Sequence, residues 1–189
     1  MIIALTGTPG TGKTTIATLL QQYITVIDFQ KFAITHHCEV GYDSDKDSII
    51  IDVDKVNIAL QNHINSSKSV LIEGHLSHLL TAVEKIIILR CHPKTLLKRL
   101  NEKGWKQQKI KENLEAEMLD VILSESIEIH SEENISEIDT TNQSPNSIVT
   151  SIKSLINSHF KKDIATRPGS IDWSEYLIHI NWMEELNGS

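Results

Sequence analysis

Two glycines, Gly7 and Gly12, bracket a short polar run that leads at once into Lys13, Thr14 and Thr15. The stretch Gly7-Thr8-Pro9-Gly10-Thr11-Gly12-Lys13-Thr14-Thr15 satisfies the Gly-x-x-x-x-Gly-Lys-Ser/Thr phosphate-loop pattern in full. The chemistry asks for these residue types. Glycines such as Gly10 and Gly12 let successive backbone N–H groups turn inward as a nest. A helix starting there aims its positive end at the same point. Lys13 then reaches the β- and γ-phosphates of a nucleotide, the Thr14 hydroxyl completes a Mg²⁺ shell, and Thr15 meets the α-phosphate.

A phosphate loop implies a nucleotide and leaves its use open. In open α/β sheets, ligands collect at the carboxyl ends of strands. Glu73 follows the apolar run Ser69–Ile72, with His75 two residues on. A carboxylate there can hold a Mg²⁺-bound water or orient an attacking one, so Glu73 is a candidate for both metal binding and catalysis, and His75 can share the catalytic role. His78 has two readings, a site residue or the outer face of a helix. Phosphoryl transfer also needs cations around the moving phosphates. The candidates are Arg90, Arg99, Lys103 and the run Lys106, Lys109 and Lys111. Arg90, directly after an apolar run, is expected at the acceptor phosphate, and a flap at 103–108 would exclude water. A guanine-specific switch would carry Asn-Lys-x-Asp; the corresponding slot here reads Arg90-Cys91-His92-Pro93, which argues against that class.

The elements that must position these residues alternate in type. Met1–Leu5 is a short apolar strand, and Thr15–Gln22 reads as the first helix. Tyr23–Phe29 is the second strand, and residues 30–50 read as a polar excursion from the core. A helix spans Asp52–Ile64, a buried strand Lys85–Cys91, and a helix opened by His92-Pro93 runs to Gly104. The spacing of Ile110, Leu114, Met118 and Val121 predicts one long helix from Lys106 to about His130. Ile135–Asp139 is the last strand, although its alternation is imperfect. Ser144-Pro145 caps a final helix over 145–159. Alternating strands and helices predict an α/β, three-layer fold with a five-stranded parallel sheet. From Lys161 onward the chain changes character, with Trp173 and Trp182 in an aromatic tail that either packs on the domain or binds a partner.

The 189 residues suit one domain with a sizeable core. A net charge of -7 argues against a broad nonspecific nucleic-acid surface. Cys38 and Cys91 have no paired spacing, so neither a disulfide framework nor structural zinc is expected. No apolar run is long enough for a membrane span, and there is no room for a signal peptide before the loop, so a soluble, cytoplasmic protein is the expectation.

Over essentially its whole length the chain resembles the adenylate kinase-like ribosome maturation factors, the atypical adenylate kinases of the nuclear and archaeal type. The likeness lies in GTPGTGKTT, GYD at 41–43, IIDVDKV at 50–56, LIEGHLSHLL at 71–80 and LRCHPKTLLKRLNEKGW at 89–105. ENLEAEMLDVILSES at 112–126, EIDTT at 137–141 and PGSIDWSEYL at 168–177 complete it. The resemblance implies a P-loop nucleoside monophosphate kinase domain over 1–160. It would carry a monophosphate-binding insertion at 30–53 and a short lid at 102–112, followed by the tail at 161–189. It implies ATP and Mg²⁺ as cofactors and AMP or another nucleoside monophosphate as acceptor, with adenylate kinase and ATPase activities together. It also implies a role in small-subunit maturation and rRNA processing. The partner would be a small-subunit ribosomal protein of the uS11 type, with transient association with a pre-ribosomal particle. The family's acid-x-His segment falls on Glu73-Gly74-His75. Arg99 and Lys103 would clamp phosphates, and Asp139 and Thr140 would line the adenine side. Two positions depart from the eukaryotic pattern: Ile34 and Lys103 stand where arginines occur, and lysine keeps the charge without the bidentate fork. An ATPase assembly factor, gating release of a ribosomal protein with little kinase flux, is the alternative reading.

Overall fold

Ile2–Thr6 forms β1, and in this computed structural model, which describes residues 1–44, 48–64, 69–161 and 163–178, β1 is the middle strand of the main sheet. In chain order there follow α1 (Lys13–Leu20), β2 (Thr25–Asp28), α2 (Phe29–Thr35), β3 (Glu39–Asp43) and β4 (Ser48–Ile51). Next come α3 (Val53–His63), β5 (Val70–Glu73), β6 (Lys85–Arg90), α4 (Pro93–Glu102) and α5 (Gln107–Met118). The chain continues through α6 (Val121–Ile129), β7 (Ile135–Asp139), α7 (Pro145–Asn157) and the short α8 (Glu175–Ile178). The sheet order is β2-β5-β1-β6-β7 with every neighbouring pair parallel, so the expected five-stranded sheet is present.

Alternation along β1 divides the core between the two faces. Ile3 and Leu5 join Leu71, Ile87 and Leu89 against Ile16 and Leu20 of α1 and Ile148 and Ile152 of α7. Ala4 joins Ile72, Ile86 and Ile88 on the opposite face, against Phe29 and Phe32 of α2 and Val56 and Leu60 of α3. A third cluster joins α4 to α5 through Leu96, Leu100, Ile110, Leu114 and Met118, with Trp105, Trp173 and Tyr176 packed on it. Helix starts follow local chemistry: Asp28, Asp52 and Ser144 each accept a backbone N–H three residues on, and Pro93 and Pro145 occupy first turns.

Two expectations need correction here. The predicted helix over 106–130 is two helices, α5 and α6, broken at Leu119-Asp120. Asp120 takes a left-handed backbone (φ 52), and its carboxylate pairs with Arg90. Residues 30–50 are also not all excursion. Phe32 and Ala33 of α2 are buried in the core, and only the β3–β4 hairpin stands apart as its own two-stranded sheet. The tail covers the sheet edge: Gly169 N donates to the Glu137 carboxylate of β7 at 2.6 Å, while Trp173, Tyr176 and Leu177 reach the α4–α5 cluster. Trp182 lies outside the described residues.

Candidate active site

Between β1 and α1 the chain turns through three glycines at positive φ: Gly7 (140), Gly10 (98) and Gly12 (102). Gly7 is required on two counts, since a Cβ there would strike the Leu89 carbonyl at the end of β6. α1 begins at Lys13 with no side-chain cap, so its first N–H groups are turned toward the loop and an anion is their natural acceptor. Lys13 Nζ meanwhile donates to Gly7 O (2.7 Å) and Thr8 O (3.2 Å). Burial lowers its pKa to about 8, with Glu73 opposing and Lys103 adding to the shift.

β5 delivers Glu73 to the same place. Its register with β1 sets Glu73 opposite Leu5, and Thr14 Oγ1 donates to Glu73 Oε1 at 3.2 Å. Burial raises the Glu73 pKa, and Lys13 and Thr14 hold it back. A hydroxyl and a carboxylate side by side at the edge of the phosphate nest are oxygen donors of the kind Mg²⁺ takes, so Thr14 and Glu73 suit that ion. The peptide at Gly74 passes close under α2, where a Cβ would meet Phe29 Cβ at 2.6 Å. His75 follows directly and lines the same cleft. Its pKa is lowered to about 4, first by burial and then by Lys13, His78 and Lys109, so its imidazole is neutral at ordinary pH.

These groups line a cleft of about 1190 Å³. That exceeds the roughly 300–1,000 Å³ of a site for one small ligand. One end lies over Gly10, Arg99, Thr140, Gln143 and Pro145; the other is walled by Asp28, Phe29, His75, Glu125 and residues 48–51 of β4. Arg99 Nη2 donates to Thr140 O (2.9 Å), and Nη1 reaches Thr140 Oγ1 (3.3 Å) and Gly10 O (3.5 Å). Thr140 Oγ1 in turn donates to Thr11 O (3.0 Å), which fastens the end of β7 to the loop. Thr15 and Lys103 also line the cleft. Asp139 does not, because its carboxylate accepts from Thr141 N (2.8 Å) and from the Thr141 hydroxyl within its own turn.

Arg90 is not at the acceptor phosphate. It is buried under the loop, where it donates to Glu117 (Nε, 2.9 Å), Asp120 and Glu137. Burial alone would lower its pKa, but the three carboxylates outweigh it and hold the guanidinium above its usual range. His78 likewise is on no outer face. It is fully buried, with Nδ1 3.1 Å from Thr6 Oγ1 and Nε2 2.9 Å from Glu125.

Glu117, which carries no role in the sequence reading, is the hub. Its Oε1 accepts from Arg90 Nε and from Cys91 N (3.0 Å), and its Oε2 accepts from the Thr8 hydroxyl of the loop. A signal existed: Glu117 stands on the same helix stripe as Ile110 and Leu114, an acid where the period demands an apolar residue.

A family model described as an AAA domain matches residues 3–120. The chain is 42% identical over 183 residues to a "Putative adenylate kinase" of Pyrococcus furiosus, covering 95% of both chains. It is 36% identical over 177 residues to a "Putative adenylate kinase" of Halobacterium salinarum, covering 94% of this chain and all of that one. Among solved structures, a shikimate kinase from Acinetobacter baumannii in complex with shikimate superposes with a TM-score of 0.58 at 18% identity, over 85% of this chain and 95% of that one. An uncharacterized protein from Eubacterium ventriosum gives 0.55 at 16% identity, over 84% and 99%. The two structures share the fold. Among the described residues, no helix is long and apolar enough to cross a membrane.

Proposed function

The chain belongs to the adenylate-kinase-like family of the archaeal and nuclear type, and from that premise we propose that it transfers the γ-phosphoryl of ATP to AMP or a related nucleoside monophosphate, giving two diphosphates. The observation that supports this reading is that Lys13, Thr14 and Glu73 line a cleft of about 1190 Å³, more than one small ligand needs. The loop, Arg99 and Thr140 form the ATP side; the wall of Asp28, Phe29, His75 and β4 forms the acceptor side. The insertion at 30–53 and the turn at 102–112 act as the monophosphate-binding part and the lid.

Lys13 Nζ exchanges the Gly7 and Thr8 carbonyls for phosphate oxygens when ATP binds, so its charge meets the phosphoryl group only in the complex. Mg²⁺, held by Thr14 and Glu73, would neutralise charge on the phosphates. A monophosphate attacks through an oxygen that is already ionised and has no proton to shed. Water must lose one, and a neutral His75 imidazole lining the cleft can accept its hydrogen bond. His75 therefore matters more to hydrolysis than to transfer.

The same residues run a Mg²⁺-dependent ATPase when the acceptor is water. Resemblance to the ribosome maturation factors extends the proposal to rRNA processing on a pre-ribosomal particle in the cytoplasm, with a uS11-type protein as partner. The net charge of -7 suits a basic partner of that kind. The ATPase-gated assembly role is the second reading, and the neutral His75 beside the loop favours it. One experiment separates them. The protein is incubated with ATP and Mg²⁺, with and without AMP, and ADP and free phosphate are counted separately. Transfer gives ADP in excess of phosphate only when AMP is present; phosphate equal to ADP under all conditions would reject the kinase reading. Lys13→Ala should abolish both.

A further inference from the structure

The proposed chemistry leaves the aromatic tail without a task, yet the tail reaches the phosphate loop along two lines of contact. The first runs through α4. At Gly10 an added Cβ would meet Leu96 Cδ1 at 2.8 Å and Leu100 Cδ2 at 3.0 Å, so α4 packs directly on the loop. Leu96 and Leu100 belong to the α4–α5 cluster, and Trp173, Tyr176 and Leu177 pack on that same cluster. The start of α4 is tied to the tail as well. His92 Nδ1 accepts from Lys94 N (3.2 Å), which leaves the ring hydrogen on Nε2, and Nε2 donates to Tyr176 OH (2.8 Å). The His92 ring also meets Trp173 and Tyr176 edge to face, at centroid distances of 5.0 and 4.7 Å. The second line runs through β7. Gly169 N donates to one oxygen of Glu137 and Arg90 to the other, while Arg90 and the Thr8 hydroxyl of the loop share Glu117.

We propose that the tail holds the phosphate loop ready for ATP, with Trp173 and Tyr176 as positioning residues. Neither side chain lines the cleft, so both act through α4. A nest of N–H groups binds phosphate best when it is already aimed, because any motion it keeps must be arrested on binding. With α4 fixed by the tail, Leu96 and Leu100 stay on Gly10, and Arg99 stays on the Gly10 and Thr140 carbonyls. A tail drawn off its seat therefore weakens ATP binding while every group that touches ATP is intact. The indole Nε1 of Trp173 has no hydrogen-bond partner among the described residues, so this ring contributes packing alone and phenylalanine is its conservative replacement.

This inference rests on the reading of the loop as an ATP site, and its test keeps the two apart. Binding of a non-hydrolysable ATP analogue with Mg²⁺ is measured by calorimetry in the full-length protein. The variants are Trp173→Ala, Trp173→Phe, Tyr176→Phe and, as a control at an exposed tail position, Ile164→Ser. Trp173→Ala should raise Kd about fivefold or more, the lower end of coupling between distinct sites, with the number of sites per chain unchanged. Trp173→Phe should restore most of the affinity. Tyr176→Phe, which removes the bond to His92 and keeps the ring, should fall between the two, and Ile164→Ser should match wild type. Coupling is reciprocal, so the analogue should also slow amide hydrogen exchange across residues 170–178 of the wild type. That measurement needs no variant and decides the matter if Trp173→Ala does not fold. The inference is overturned if Trp173→Ala binds with the wild-type Kd, or lowers only the number of sites per chain, which would make the tail a support of folding alone. It is equally overturned if Ile164→Ser weakens binding as much, or if the analogue leaves exchange in the tail unchanged. In each of these cases binding by the wild type keeps the ATP site as read. A wild type that binds no analogue would overturn both.

Discussion

Replacing Glu117 with glutamine tests whether the phosphate loop is held from below. The glutamate accepts three hydrogen bonds, from Arg90 Nε, Cys91 N and the Thr8 hydroxyl. Glutamine keeps the shape and one acceptor oxygen, which will turn to Arg90 and Cys91, both of which only donate. Its amide then faces Thr8, whose hydroxyl must reverse and find another acceptor. Two bonds pass from charge-assisted to neutral, a loss of about 1 kcal/mol each, so the variant should be about 2 kcal/mol less stable. Asp120 and Glu137 remain on Arg90, which keeps the loss below the roughly 3–5 kcal/mol of an unpaired buried charge. For a chain of this size that corresponds to a fall in Tm of about 4–8 °C. The Thr8 carbonyl also holds Lys13, so KM for ATP should rise as the loop loosens. Thermal unfolding followed by circular dichroism, with initial rates at several ATP concentrations, measures both. A Tm within about 1 °C of wild type would show that the buried carboxylates do not brace the loop.

The Lys13 pKa of about 8 predicts a basic limb. As pH rises through that value the free enzyme loses the ammonium, so kcat/KM for ATP should fall about tenfold per unit above it, while kcat holds to higher pH because bound phosphates favour the charged form. A flat kcat/KM profile to pH 9.5 would refute the assignment. Gly74→Ala should lower both stability and turnover, because its methyl group meets Phe29 and moves Glu73 and His75 together. Denaturant unfolding should show a loss of about 1–3 kcal/mol, and an alanine variant equal to wild type in both readouts would show that the peptide is not so confined.

What the sequence made legible was local. The loop pattern, the uninterrupted isoleucines of β6 and the caps at Asp52, Ser144 and Pro93 each announce themselves within a few residues, and the parallel sheet follows from their alternation. Glu73 was visible because strand ends are where such sheets place chemistry. Arg90 obeyed the same rule and was misread, since its acids come from α5, the α5–α6 break and β7, far along the chain. The break at Asp120 was hidden for the same reason: no glycine or proline marks it, and the Arg90 that its carboxylate meets lies on a distant strand. The imperfect alternation of Ile135–Asp139 was informative in hindsight. Ser136 and Glu137 are fully buried, and Glu137 is held there by Arg90 and by Gly169 of the tail, which nothing within the strand could indicate. His78 kept two readings because three residues form only one short 3₁₀ turn there, too little for a period to read.

The central position of β1 bears on how the protein is made. β1 pairs on one side with β5, beginning at Val70, and on the other with β6, beginning at Lys85. At roughly 5–20 residues per second, several seconds of synthesis separate the emergence of this apolar strand from that of either neighbour. During that interval the phosphate loop exists as sequence without Glu73 beside it or the Leu89 carbonyl against Gly7, so ATP cannot serve as an early template for folding. Until both partner strands have emerged, Ile2–Leu5 has no sheet neighbour to cover it on either side.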